Sequence, residues 1–369
     1  MQTIQLLAVS ALDSRPAAET LVGLARSGVD LNVLAPAGAA YLERLALGGV
    51  KAEELPAGGA RERGGAALIR GRLREGPADI LYLDGVTRSL LVGLAGRRLG
   101  ARVVVRLRYL DGHRRPSMLR RLIYRAGNVA KVIADIDPAR VGDPRTARWL
   151  GERLCILPSG HDTGWYAPGH DLAALGIPEH ALAVAAMTAR PDPGGLRWLV
   201  ESARSLPMDV PIHFLLVAPR SSHERLRLSI RRIPFTQRFH LSDAVEQGPG
   251  LLASCSLAVL TDWGEELQRR ACRQCLALGV PVLAGDVAPV EQVIRTQING
   301  ELLPPGDPVA LAHSIFELYE EKDRRLELGA RAERLARQAP SMAEAVAARL
   351  AVLQGIVASS QGAGRAREV

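Results

Sequence analysis

One stretch of the chain decides the fold: SLAVLTDWGEELQRRACRQCLALGVPVLAG, residues Ser256–Gly285. It contains an apolar run at Ser256–Asp262, a helix-like segment at Glu266–Leu278, and a second apolar run at Val280–Gly285. Short runs that are apolar nearly throughout are typical of strands buried on both faces. A strand–helix–strand order indicates two parallel strands joined by a crossover helix. The stretch therefore predicts one unit of a parallel α/β sheet.

The same alternation extends towards both ends of the chain and falls into two sets. The strand-like runs of the first set are Ile4–Leu12, Leu31–Pro36, Asp79–Gly85, Arg102–Arg108, Lys131–Ile136 and Arg153–Gly160. The further runs of the second set are His180–Met187, His213–Pro219 and Phe239–Asp243. Between the sets, His161–Asp171 is rich in Gly, Pro and His, as a linker is. We therefore expect two doubly wound Rossmann-like domains facing each other across a cleft, with ligands at the carboxyl ends of the strands.

The domain boundaries follow from this division. We expect a first domain over 1–165, a second over 166–338, a C-terminal helix over 339–358 that packs back on the first domain, and a disordered tail over 359–369. The helical pattern before that tail extends from about Asp307 to Ala358.

Composition excludes several classes of protein. Of 369 residues, 47% are apolar and 23% charged, which are ordinary globular values. The four cysteines are too few for a disulfide scaffold. The longest apolar runs are much shorter than the ~20 residues that cross a bilayer, and the first residues lack the basic start of a signal peptide. These features predict a soluble, reduced, cytoplasmic protein.

The positive charge is concentrated in one segment. Arg97–Arg125 holds ten arginines and a single acid, Asp111. Such a segment attracts phosphate groups, although a general preference for arginine over lysine would also produce it. Within it, Arg114–Arg125 interleaves arginines with apolar residues, which fits either an amphipathic helix on an anionic membrane or a helix packed on the sheet. Nucleic acid is disfavoured as a partner because no binding module is recognisable.

Four segments, in one order, resemble motifs of family 4-type retaining glycosyltransferases of the two-Rossmann (GT-B) architecture. They are ILPSGHDTGWYAP (Ile156–Pro168), AAMTARPDPGGLRWLVESARSL (Ala185–Leu206), LAVLTDWGEELQRRACRQCLALGVPVLAGDVAPVEQVI (Leu257–Ile294) and NGELLPPGDPVALAHSI (Asn299–Ile315). The resemblance implies transfer of a sugar from a nucleotide-diphosphate sugar to a glycan or lipid-linked acceptor, as in polysaccharide biosynthesis. It further implies retention of configuration and no metal or other cofactor. The enzyme would work in the cytoplasm, or peripherally on the inner face of the membrane.

The resemblance also implies where the donor's diphosphate binds. Arg190 matches the arginine of a cationic clamp, and the clamp's lysine falls on Gly194 or Gly195. Arg197, from the following helix, is the candidate substitute. A departing nucleoside diphosphate gains negative charge in the transition state, so cationic donors held in place stabilise it.

Two further pairs of residues complete the candidate site. In the family, two glutamates eight positions apart hold the donor sugar and the ribose; Glu266 matches the first and Gln274 replaces the second. A glutamine still hydrogen-bonds a hydroxyl, but without charge assistance. On the acceptor side, Asp111 and His113 are candidates for contact with acceptor or sugar.

Other interpretations remain open at this point. The departures from the family pattern at Gly194 or Gly195 and at Gln274 also fit a non-catalytic GT-B scaffold that serves a partner enzyme or binds glycan. A nucleotide-sugar epimerase of the same architecture is less well supported, because the cleft acids and histidines it needs are not recognisable. Cys272 and Cys275 have C-x-x-C spacing, but a single pair within a helix is typical of buried thiols rather than of a metal or redox site.

Overall fold

The computed structural model describes residues 3–10, 12, 14–39, 41–55, 63–76, 78–84, 101–107, 129–134, 144–166, 169–261, 266–286, 290 and 293–365. The chain divides into two compact units. Unit 1 consists of Met1–His161 with Pro340–Val369, and unit 2 of Asp162–Ala339.

Unit 1 is built on a seven-stranded parallel sheet. Its strands are β1 (Gln5–Ser10), β2 (Asp30–Pro36), β3 (Lys51–Leu55), β4 (Ile80–Asp84), β5 (Arg102–Leu107), β6 (Val129–Ala134) and β7 (Leu154–Ile156). Its first helices are α1 (Arg15–Arg26), α2 (Leu42–Leu47), α3 (Arg63–Glu75) and α4 (Pro144–Leu150). The strand order is β3-β2-β1-β4-β5-β6-β7, so the direction of winding reverses between β1 and β4.

Unit 2 is built on a second parallel sheet, of six strands. The strands are β8 (Leu182–Met187), β9 (Ile212–Val217), β10 (Phe239–Ser242), β11 (Leu257–Leu260), β12 (Val282–Gly285) and β13 (Gly300–Leu303). The helices are α5 (Gly194–Ser202), α6 (His223–Ile230), α7 (Gly248–Ala253), α8 (Glu266–Ala277), α9 (Pro308–Glu320) and α10 (Lys322–Arg337). The strand order β10-β9-β8-β11-β12-β13 repeats that of the first six strands of unit 1, with the reversal between β8 and β11.

Helices cover both faces of the second sheet. Apolar side chains of α5, α6 and α9 share one core with one face of the strands, and those of α7, α8 and α10 share another core with the opposite face. Every residue of β8 is therefore buried, which is why its sequence, LAVAAM, does not alternate with polar residues. The predicted pair of doubly wound α/β sheets is confirmed.

The decisive stretch folds as its pattern predicts. In α8, Ala271, Cys272 and Cys275 are completely buried and form the apolar stripe that packs against the sheet. The helix ends at a glycine: Gly279 has φ +74°, and the N–H of Val280 donates to the carbonyl of Cys275 at 2.8 Å. Glycine adopts this left-handed backbone without a steric penalty, so the chain turns at once into β12.

The C-terminal part of the chain is three helices rather than one continuous helical pattern. Glu321 separates α9 from α10, and Pro340 lies before α11 (Met342–Arg365), which belongs to unit 1. Val346, Leu353 and Ile356 of α11 are buried in the core of unit 1. The helix includes residues 359–365, within the segment that we predicted to be a disordered tail.

The helix α11 also bears on the question of a membrane span. Met342–Ser360 is long and apolar enough to cross a bilayer by length and composition, with a mean hydropathy of 1.4 and 28% of the segment buried. A comparison of uninterrupted apolar runs overlooks this segment, because Glu344, Arg349 and Gln354 interrupt it. One face of this helix packs on α1, where a Cβ at Gly23 would lie only 2.5 Å from Cγ2 of Val346.

Candidate functional site

The carboxyl edge of the sheet in unit 2 brings two helix N-termini to the point where winding reverses. Helix α5 follows β8 and helix α8 follows β11, and these two strands are neighbours in the sheet. The two helices lie on opposite faces of it. At such a reversal a crevice opens between the two connections. The positive ends of two helix dipoles make that crevice favourable for an anion.

A buried glutamine joins the elements of this edge. The side-chain amide of Gln268 donates to the Met187 carbonyl at 2.7 Å and to Oγ1 of Thr261 at 2.8 Å. Its carbonyl oxygen accepts from the N–H of Thr261 at 3.0 Å. Gln268, completely buried, thus ties the ends of β8 and β11 to the first turn of α8. The sequence analysis missed this residue, because no motif distinguishes it from other polar residues of the helix.

Arg190 lies in the loop that leads from β8 into α5, and its side chain is exposed. The N–H of Arg190 donates to Oγ1 of Thr188 at 3.1 Å. From the next loop, Oγ of the buried Ser222 donates to the carbonyls of Arg190 at 3.3 Å and of Pro191 at 2.8 Å. The backbone that carries the Arg190 guanidinium is therefore held from two sides, at the edge where the sequence predicts the diphosphate.

The two glycines at the start of α5 differ in their surroundings. A Cβ at Gly195 would lie 2.7 Å from both Cβ and Oγ1 of Thr261, whereas one at Gly194 would be no nearer than 3.8 Å to the carboxylate of Asp192. Position 195 therefore has no room for a lysine, because the first turn of α5 packs directly on the end of β11. The candidate substitute, Arg197, is exposed and lies 3.6 Å from an Asp192 carboxylate oxygen.

Helix α8 carries the two other predicted donor contacts. Glu266 is its first residue, at the carboxyl edge. Gln274, two turns further along, is buried. It lies against α7, where a Cβ at Gly250 would be 3.6 Å from Nε2 of Gln274 and 2.7 Å from Nε2 of His170. The structure thus places Gln274 beside α7 and His170, and its predicted contact with a ribose stays a prediction.

Several predicted residues cannot be placed. Asp111, His113 and the segment Arg114–Arg125 lie outside the described residues. Among the residues that the structure does describe, no group of three or more His, Cys, Asp or Glu side chains is arranged to hold a metal ion.

The cysteines of α8 have the burial that was expected of them. Burial raises the pKa of Cys272 to about 12, and burial likewise raises the pKa of Cys275 well above its ordinary value. Both thiols therefore stay protonated and unreactive at neutral pH, since the thiolate is the reactive form.

Unit 1 carries a polar row at the corresponding edge of its own sheet. Ser10, Asp84 and Arg106 are partners in strand register at or next to the carboxyl ends of β1, β4 and β5. All three are buried; Oγ of Ser10 and Nη1 of Arg106 each lie 3.3 Å from Oδ2 of Asp84.

Two doubly wound parallel sheets, one of them with an anion-favouring edge at its reversal point, define a protein of the two-Rossmann class. Residues 179–321 match the family model described as Glycosyl transferases group 1. The match covers α5, α8 and the whole of the edge described above, and it confirms the resemblance found in the sequence. Residues 179–321, which form most of unit 2, thus match a group 1 glycosyltransferase domain, and the two sheets of the chain have the GT-B architecture.

Solved structures of the same fold support this assignment of architecture. A glycosyltransferase from Rickettsia africae superposes with a TM-score of 0.79 at 16% identity, over 97% of this chain and 99% of that one. The Anabaena protein HepE in complex with UDP gives a TM-score of 0.71 at 18% identity, over 97% and 100%. Sucrose-phosphate synthase of Thermosynechococcus elongatus gives 0.71 at 16%, over 96% and 100%. No match was found among curated proteins.

Proposed function

We propose that the protein transfers a sugar, with retention of configuration and without a metal, from a nucleotide-diphosphate sugar to a glycan or lipid-linked acceptor. The proposal rests on one observation. At the point where the winding of the sheet in unit 2 reverses, the loop with Arg190 and the N-termini of α5 and α8 meet, and all three lie within residues 179–321, which match the family model. The structurally similar HepE was crystallised with UDP and with UDP-glucose, so a UDP-sugar is the first donor to test.

In this proposal the chemistry needs a site that binds the leaving group more tightly as the reaction proceeds. The bond between the donor's anomeric carbon and its phosphate oxygen breaks, a bond to the acceptor oxygen forms on the same face, and the acceptor proton passes to the leaving phosphate. Negative charge therefore accumulates on the diphosphate. Arg190 and the N–H groups at the start of α5, including Gly194 and Gly195, would stabilise it, while Glu266 would contact the sugar.

The proposal extends to the acceptor and to the place of action. Asp111 and His113 are proposed to contact acceptor or sugar, and Arg114–Arg125 to dock the enzyme on the anionic inner face of a membrane. Co-sedimentation with vesicles of anionic lipid, compared with neutral vesicles, tests the docking. Replacing the five arginines of that segment should abolish the difference in sedimentation between anionic and neutral vesicles. Equal sedimentation of the wild-type protein with anionic and with neutral vesicles would contradict membrane docking.

Turnover of a UDP-sugar by the Arg190→Ala variant is the test of the donor site. Because the guanidinium stabilises charge that develops in the transition state, turnover should fall by a factor of about 10²–10³. Arg225→Ala, which removes an exposed arginine of α6, is the matched control and should retain full turnover. Wild-type turnover in both variants would remove Arg190 from the mechanism.

The rival function, a non-catalytic scaffold, is favoured by one specific observation: Thr261 closes position 195 to the lysine of the clamp. Calorimetric titration separates the two. A protein that binds neither UDP nor a UDP-sugar would be a scaffold, whereas one that binds the donor and slowly hydrolyses it without an acceptor would be an enzyme.

A further inference from the structure

At the candidate diphosphate site of unit 2, two phosphates need neutralising, and the sequence motif supplies one cation, Arg190. Arg190 supplies the first guanidinium. Gly195 cannot be replaced by a cationic residue without displacing Thr261. Arg197 is on the adjacent helix, but the carboxylate of Asp192 lies 3.6 Å from its guanidinium and offsets its charge. Any second cation is thus to be sought on another element of the same edge.

The register of the sheet brings a second arginine to the position equivalent to Arg190. Met187 of β8 is the register partner of Val217 of β9. Arg190 is the third residue after Met187, and Arg220 is the third residue after Val217. Since neighbouring strands lie about 4.8 Å apart, the two loops leave the sheet side by side.

The two loops are also fastened to each other. Ser222, two residues after Arg220, donates its hydroxyl to the carbonyls of Arg190 and Pro191, at 3.3 Å and 2.8 Å. Ser222 is completely buried. The backbone on which Arg220 stands is therefore held against the backbone on which Arg190 stands, and this holds the two positions together before any ligand arrives.

The side chain of Arg220 is available for a ligand. It is exposed, and within the described part of the chain no acidic side chain or carbonyl accepts a hydrogen bond from its guanidinium. Two other arginines of unit 2, by contrast, are engaged: Arg238 donates to the carbonyl of Met208, and Arg324 donates to carboxylate oxygens of Glu301 and Glu321. Arg220 thus adds positive charge next to Arg190 that no ion pair within the described part of the chain neutralises.

We propose that Arg220 is a donor-binding residue that supplies a second guanidinium to the diphosphate, beside Arg190. The inference rests on the function proposed above and assigns to it a residue that no motif of the sequence pointed to. A guanidinium forms two parallel hydrogen bonds with a phosphate, so it can take over charge neutralisation that a lysine at position 194 or 195 would otherwise provide.

Binding of UDP, UMP and uridine to Arg220→Ala, measured by calorimetry on the full chain, tests the proposal. Loss of a charge-assisted contact should weaken UDP about 10- to 100-fold, while uridine, which has no phosphate, should bind as it does to the wild-type protein. Arg220→Lys should recover part of the UDP affinity. Arg225→Ala, an exposed arginine five residues further on, is the control and should bind UDP normally.

The proposal is overturned if Arg220→Ala binds UDP with the affinity of the wild-type protein while Arg190→Ala has lost UDP binding. Weaker UDP binding in Arg197→Ala with unchanged binding in Arg220→Ala would also overturn it, by assigning the second cation to α5. A wild-type protein that binds no nucleoside diphosphate would overturn the proposed function together with this inference, so the two failures are distinguishable. Thermal unfolding at the wild-type temperature verifies that each variant is folded.

Discussion

At the scale of single residues, Gln268 holds together the edge on which the candidate site stands. Its side chain makes hydrogen bonds to the Met187 carbonyl and to two groups of Thr261, with no exposure to water. Gln268→Met keeps the volume but removes these hydrogen bonds and leaves the Met187 carbonyl with the longer bond from Oγ1 of Thr261, at 3.4 Å, which should cost about 1–3 kcal/mol in total. We expect urea denaturation to show a loss of about that size in the free energy of unfolding. The exposed Gln247→Met should change it by less than about 0.5 kcal/mol, and a loss as large as that of Gln268→Met would contradict the account.

A pair of histidines at the edge of unit 2 predicts a pH dependence of stability. Nδ1 of His213 and Nε2 of His240 lie 3.0 Å apart on neighbouring strands, so one of the two nitrogens must accept the hydrogen bond. Burial lowers the pKa of His213, and the positive charges of His240, Arg238 and His180 lower it further. Burial also lowers the pKa of His240, although a hydrogen bond with the Leu175 backbone raises it in part.

The direction in which stability changes with pH follows from these two lowered pKa values. Because both folded-state pKa values lie below the ordinary value of about 6.5, the unfolded chain takes up protons first as the pH falls. Stability is therefore complete above pH ~6.5 and decreases as the pH falls below it. Free energies of unfolding at pH 7.5 and 5.5 should differ less in His213→Gln than in the wild-type protein. A wild-type slope in His213→Gln would disprove the role of the pair.

The site could be predicted from the sequence only in part, and the physical reason differs from residue to residue. Arg190 could be placed at the edge because it follows an apolar strand, and carboxyl ends of parallel strands share one edge. Gln268 could not, because its role depends on two strand ends that are 74 residues apart in the chain, at Met187 and Thr261. Arg220 was missed for a similar reason, since its proximity to Arg190 depends on the register of β8 with β9.

At the scale of secondary-structure elements, the glycine that ends α8 and a glycine within α11 should respond to alanine with opposite signs. Gly279 has φ +74°, a conformation that costs an L-residue about 1–2 kcal/mol, so Gly279→Ala should destabilise the protein by that amount. Gly355 lies in α11, where a Cβ meets no atom within 4 Å, so Gly355→Ala should stabilise the helix by about 0.5–1 kcal/mol. Urea denaturation measures both changes. Equal signs would show that one of the two backbones is not as described.

The strands could be predicted because a strand buried on both faces appears in the sequence as an apolar run. Such a run can be recognised without knowing which strands lie next to it. The helices after Asp307 were not resolved into three, because α9, α10 and α11 are separated by only one to four residues and their patterns merge. Asp307 itself was identifiable in principle: its carboxylate accepts from the N–H groups of Val309 and Ala310, at 2.9 Å and 3.1 Å, and Pro308 follows it. An acidic N-cap followed by proline is a common start of a helix.

At the scale of the whole molecule, the two sheets repeat one winding order but differ in how their edges are equipped. Unit 2 places two helix N-termini and an exposed Arg190 at its reversal point, and an exposed Arg220 after the neighbouring strand β9. Unit 1 places the buried Asp84–Arg106 ion pair at the corresponding edge, next to Ser10. Exposed cations are suited to a ligand that arrives from water with negative charge, and a buried ion pair neutralises itself. The same fold therefore supports donor binding by unit 2 better than by unit 1.

The chain returns to unit 1 at its C-terminal end, and this predicts how removal of the C-terminal segment affects the stability of each unit. The chain leaves unit 1 at His161 and returns at Pro340, and α11 then packs Val346, Leu353 and Ile356 into the core of unit 1. Burying three such side chains contributes about 1.5–3 kcal/mol each, which together approach the whole stability of an ordinary domain. Truncation after Ala339 should therefore unfold unit 1 and leave unit 2 folded.

Hydrogen exchange followed by mass spectrometry distinguishes the two units in that truncated chain. Amides of β1 and β4 should lose protection, while those of β8 and β11 should exchange as slowly as in the full chain, because unit 2 is a continuous segment, Asp162–Ala339, with its own two cores. Leu353→Ala in the full chain is the milder variant; it should accelerate exchange in unit 1 alone, with a loss of about 2–5 kcal/mol in its free energy of unfolding. Equal acceleration in both units would mean that they unfold as one, and would contradict the division of the chain at His161 and Pro340.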